Sequence, residues 1–81
     1  MTDELLQRIV SDPRVLDGKP IIKGTRLSVE YVLNLLGHGS TTESILDEYR
    51  GLSPADIQAC LLFASQSLSD TALVPLTSPN G

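Results

Sequence analysis

The sequence predicts a mainly α fold: a small helical bundle with a short β-hairpin element near its N-terminus. Two observations carry this. Apolar residues recur at helical spacing in four segments, most of them opened by a capping residue. Between the first and second of these lies "DGKPIIKG", which has two tight-turn signals around very short apolar pieces. At 81 residues, 41% apolar and 20% charged, the chain has the composition of one ordinary small domain. We assign residues 1–70 to that domain and 71–81 to a tail that is flexible or docks extended.

"TDELLQRIV" reads as the first helix. Thr2 is placed to cap it, Asp3 and Glu4 suit the positive end of the helix dipole, and Leu5, Leu6, Ile9 and Val10 share a face. Pro13 pushes Asp12 out of the α region and ends it. Val15-Leu16, Ile21-Ile22 and Arg26-Leu27 are then expected as two or three short strands, turned at Asp17-Gly18 and Lys23-Gly24. Pro20 lacks a donor and belongs at an edge.

The second helix has Ser28 as its cap, Leu27 and Val32 as a hydrophobic staple, and Val29, Val32, Leu33 and Leu36 on its core face. Gly37 or Gly39 stops it in the left-handed conformation. Ser40 and Glu43 have capping-box spacing for the third helix, which buries Ile45, Leu46 and Tyr49. The fourth opens on "LSPAD": Ser53 as cap, Pro54 at the first helical position, Asp56 completing the box and Leu52 stapled to Ile57. Ile57, Cys60, Leu61, Ala64 and Leu68 form its expected core stripe, leaving Leu62 and Phe63 as surplus apolar surface. A domain this small is marginal on its own, so surplus apolar surface and open strand edges predict a homodimer.

Net charge is −4, from six basic and ten acidic side chains, which argues against general nucleic-acid binding. The bases are unevenly placed. Arg14, Lys19, Lys23 and Arg26 fall within thirteen residues that contain a single acid, Asp17. This cluster has three readings: a nucleic-acid contact, a contact with an acidic protein, or an inert edge with solvated lysines and Arg26 paired to Asp47 or Glu48. The third and fourth helices have the lengths of a helix-turn-helix, in which Ser53 and Gln58 would face base edges. That fourth helix contains no lysine or arginine to hold phosphates.

No catalytic constellation is present. His38 lies between two glycines at a helix end, Cys60 sits on a core stripe, and Asp47-Glu48 occupy successive helix positions that diverge. No Cys/His spacing suits a metal, so neither metal nor cofactor is expected. The acidic start lacks the pattern of a signal peptide, and no apolar run reaches membrane-spanning length, which predicts a cytoplasmic protein without a membrane partner.

Gly18, Pro20, Ile22, Gly24, Thr25 and Arg26, followed by Gly39 and then by Leu52, Ser53, Asp56 and Ile57, form a combined pattern. It closely resembles a small bacterial family first catalogued as domain of unknown function 433. The match covers about Asp12 to Ala64; Arg50 stands where members often have proline. The resemblance implies a helical domain of homeodomain-like or winged-helix type with a small N-terminal β element. It also implies an antitoxin of a type II toxin-antitoxin pair, neutralising a PIN-like ribonuclease usually encoded next door. The residues expected at the partner or nucleic-acid surface are Arg14, Lys19, Lys23, Thr25 and Arg26. The alternative is a helix-turn-helix DNA-binding regulator, which can be autoregulatory.

Overall fold

The computed structural model describes residues 2–69. The expected boundary at residue 70 and the tail over 71–81 lie outside them. In chain order the elements are α1 (Thr2–Leu6), β1 (Ile9–Val10), a 3-10 turn (Leu16–Gly18), β2 (Ile21–Ile22), α2 (Val29–Gly37), α3 (Thr42–Glu48) and α4 (Pro54–Ser69). The fold is mainly helical, with one two-stranded antiparallel ladder near its N-terminus. Ile9 pairs with Ile22 and Val10 with Ile21.

The ladder corrects the strand assignment. Ile9 and Val10 were expected on the first helix, which instead stops at Leu6. β-branched residues lose side-chain freedom in a helix and pack well on a pleated surface. Pairing with Ile21-Ile22 therefore outweighs continuing the helix. Val15-Leu16 forms no strand: Gly18 N–H bonds Val15 O (3.0 Å) and Lys19 N–H bonds Leu16 O (3.1 Å), which closes a turn. Leu16 and Asp17 enter the left-handed region there, at φ 49° and 57°. Of the third expected strand only an isolated bridge between Ile21 and Ser28 remains.

The core is built by Ile22, Val29, Val32, Ile45, Ile57 and Cys60, with Leu27, Leu33, Leu36, Leu46, Tyr49, Leu52 and Phe63 among the half-buried residues around it. α4 is the hub, packing against α1, α2, α3 and β1. Because neighbours surround it on several sides, its buried arc is centred on Asp56, Ile57, Ala59 and Cys60. Leu61 and Leu68, expected in the core stripe, are 51% and 70% exposed. Phe63, expected as surplus, packs on the core.

The helix ends follow cap chemistry closely. Ser28 Oγ accepts from Tyr31 N–H at 2.9 Å and starts α2. At its far end Gly39 adopts φ 102°. Its N–H bonds Leu36 O at 3.1 Å, and Ser40 N–H reaches back to Leu35 O at 3.0 Å, the paired bonds of a Schellman end. Ser40 is thereby committed to closing α2, so the capping box of α3 shifts one residue along. Thr41 Oγ1 accepts from Ser44 N–H and Ser44 Oγ accepts from Thr41 N–H, both at 3.1 Å, in place of the expected Ser40 and Glu43.

Candidate functional site

Two regions hold the candidate residues: the turn segment before α2, and the N-terminal end of α4.

The turn segment is shaped by short-range bonds. Ile22 N–H bonds Leu27 O, and Thr25 N–H bonds Ile22 O, each at 3.0 Å. Gly24 takes φ 83° between them, as the third residue of a type II turn must. Thr25 Oγ1 donates to Ile22 O at 2.7 Å and accepts from Leu27 N–H at 3.0 Å. Thr25 is therefore a clasp that fixes the turn, half-buried, with its hydroxyl already used inside the chain. Its neighbours Lys23 and Arg26 are exposed.

The four bases separate into two kinds. Arg14 lies against Asp12 at 3.2 Å, where its hydrogen bonds hold the Asp12 carboxyl below the usual carboxylate range. Lys19 Nζ reaches Glu30 at 3.1 Å. Both pairs are exposed, and such pairs contribute only about 0–1 kcal/mol. Lys23 and Arg26 have no ion pair among the described residues, so Arg26 does not take Asp47 or Glu48 as a counter-charge.

Arg26 borders a shallow groove of about 530 Å³, lined also by Leu16, Asp17, Lys19, Leu27, Ser28, Tyr31 and Tyr49. The two tyrosines meet edge to face, with ring centroids 6.3 Å apart at 87°, and their hydroxyls are hydrogen-bonded at 2.9 Å. That bond, followed by partial desolvation, pushes the Tyr49 hydroxyl up to about 12. Leu16 projects 44% exposed at the rim. The groove thus combines a free guanidinium with aromatic and aliphatic surface, a composition enriched at protein interfaces. Composition and turn signals pointed to the cations but not to Leu16, Tyr31 or Tyr49. The helical wheel of α2 offered a signal, since Tyr31 falls off the Val29-Val32-Leu36 face.

At α4, Ser53 and Gln58 are positioned differently. Gln58 is exposed, whereas Ser53 is half-buried. Its N–H and Oγ donate to Asp56 Oδ2 at 2.9 and 3.3 Å, while Asp56 N–H returns to Ser53 O at 2.9 Å. Half of the expected capping box forms: the Asp56 carboxylate accepts the cap's N–H, but the cap hydroxyl accepts nothing from the helix. Asp56 Oδ1 takes Arg8 Nη1 at 3.0 Å, with the two side chains 10% and 45% exposed. Arg8, a partner to which no sequence signal pointed, ties α1 and β1 to the start of α4.

The remaining titratable candidates lie elsewhere. His38 Nδ1 donates to Asn34 O at 2.8 Å and closes α2. Cys60 is fully buried, and burial, with the nearby Asp56 charge, pushes its thiol up to about 11. No three His, Cys, Asp or Glu residues among the described ones are grouped to hold a metal. No helix among them is long and apolar enough to cross a membrane.

No curated protein and no solved structure matches the chain. Residues 9–64 match the family described as "Protein of unknown function (DUF433)". That span holds both the turn clasp of Gly24, Thr25 and Arg26 and the Ser53–Asp56 cap, and with most of the sequence covered, the chain belongs to this family.

Proposed function

We propose that this protein is a non-catalytic antitoxin whose basic edge docks on a PIN-like ribonuclease. One observation carries the reading: Arg26 stands exposed, with no ion pair among the described residues, beside a groove of tyrosine and leucine surface. A guanidinium held this way, next to Lys23, is complementary to an acidic surface, and the metal site of such a nuclease is acidic. Arg14 and Lys19 contribute less, because each is already offset by a carboxylate. The role of Thr25 in this scheme is to shape the turn that presents Arg26.

The alternative, DNA reading by α4, has the α3–turn–α4 order in its favour. Against it stand the absence of any lysine or arginine on α4 and the use of Ser53 within the chain. The two readings separate in one experiment. The neighbouring nuclease gene is co-expressed with and without this protein, and the complex is recovered by pull-down. Relief of growth arrest, lost on Arg26→Glu in a variant that remains folded, supports the antitoxin. Unrelieved arrest with no complex overturns it. DNA retardation that survives Lys19, Lys23 and Arg26 to alanine but fails on Ser53 and Gln58 substitution then promotes the regulator.

A further inference from the structure

α4 runs for 16 residues with one charged side chain, Asp56, and that one is buried. Its outward face is therefore free of charge in a protein that is 20% charged overall. Gln58, Leu61, Leu62 and Ser65 share this face, and together with Leu5 of α1 they line a shallow apolar depression of about 460 Å³. Leu61 is 51% exposed. Loss of charge is the compositional mark of an interface core. The arrangement is also symmetric about the helix midpoint, with two leucines at the centre and one small or amide side chain a turn away on either side.

We propose that a second copy of this chain covers this face, with the two α4 helices antiparallel across a two-fold axis that passes between Leu61 and Leu62. Charge selects this occupant. A two-fold contact sets the same patch against itself, so two copies of a −4 chain meet without like-charge repulsion where the patch is neutral. In this register the leucines of the two copies interdigitate at the centre. The Gln58 carboxamide of each copy lies opposite the Ser65 hydroxyl of the other, a pair able to hydrogen-bond, and Ser65 is small enough for close helix approach. None of Leu5, Gln58, Leu61, Leu62 and Ser65 lines the groove beside Arg26, so a dimer would carry two such grooves.

Sedimentation of the full chain at micromolar concentration tests this, independently of any toxin. The expected mass is twice 8.7 kDa. Leu61→Glu should raise the dissociation constant at least tenfold with an unchanged helical circular dichroism spectrum, while Lys23→Ala with Arg26→Ala leaves the dimer intact. Should Leu61→Glu fail to fold, cysteine pairing carries the test. Gln58→Cys chains mixed with Ser65→Cys chains should form a mixed disulfide, with buried Cys60 not participating. A wild-type monomer at high concentration overturns the proposal, as does a Leu61→Glu dimer. So does a wild-type monomer that dimerises only after removal of residues 70–81, which would make the chain's own tail the occupant. Cross-linking of like chains without the mixed pair overturns the antiparallel register.

Discussion

Arg8 precedes β1 and Arg26 follows β2, at the same end of the antiparallel ladder, and the two do opposite things. Arg8 reaches across to Asp56 at 3.0 Å and joins a network in which the carboxylate also accepts from Ser53. Arg26 leaves its turn and forms no ion pair among the described residues. The foot of α4 is thus electrostatically closed, whereas the turn segment before α2 is open. Charge counting cannot see this difference, because it depends on which carboxylate the fold brings near. An arginine that the fold has neutralised contributes to stability; one that it presents unpaired is available to a partner.

The sharpest way to break this contrast is at Asp56. Asp56→Ala strips the acceptor from Ser53 N–H and leaves Arg8 without its partner, for an expected loss of about 2–3 kcal/mol in urea unfolding. Asp56→Asn keeps an acceptor for the cap and should recover part of that loss. If Asp56→Ala proves neutral, the foot of α4 is no more closed than the turn segment. Cys60, one turn along the same helix, probes the closed side by pH. Its thiol is raised from 9.0 to about 11 in the folded chain, so the folded state keeps its proton while the unfolded chain loses it. This contribution is complete below pH 9 and is lost as pH rises towards about 11. Stability should therefore fall by on the order of 2 kcal/mol across that window. The Cys60 part of the fall should vanish in Cys60→Ala, leaving the same Tyr49 background in both proteins.

Smaller effects are expected on the open side. Gly24→Ala meets no neighbouring atom but must hold φ 83°, which should cost about 1 kcal/mol. Arg26→Glu should change stability least, by less than about 0.5 kcal/mol, while abolishing capture of the proposed nuclease. A large loss of stability in Arg26→Glu would place Arg26 among the structural residues beside Arg8.

Most of the helical architecture was legible because caps and glycines act locally: Ser28, Pro54 and Gly39 mark ends through their own backbone chemistry. Errors arose where two local rules competed for one residue. Ser40 satisfied the spacing for a box with Glu43, yet its N–H was already needed to close α2. Ile9 and Val10 fitted a helical face, yet the β partners Ile22 and Ile21, more than a helical turn beyond any local signal, claimed them. The candidate site was half legible. Lys23 and Arg26 stand out in composition, but Leu16, Tyr31 and Tyr49 converge on Arg26 only through tertiary packing. The pairing of Arg8 with Asp56 spans 48 positions, beyond the reach of periodicity.

The Thr25 clasp has a kinetic consequence. Its hydroxyl bridges the carbonyl of core residue Ile22 and the N–H of Leu27, so Arg26 is held on a short, doubly anchored segment before any partner arrives. Docking at such a site needs no prior loop rearrangement. The encounter rate with the proposed nuclease is then governed by diffusion and charge steering, and should fall steeply with added salt. Dissociation depends instead on the uncharged contacts of Leu16 and the tyrosines, and should respond little to ionic strength. Thr25→Val, which keeps the shape but loses the bridge, would let the turn sample other geometries and slow association while leaving the groove surface in place.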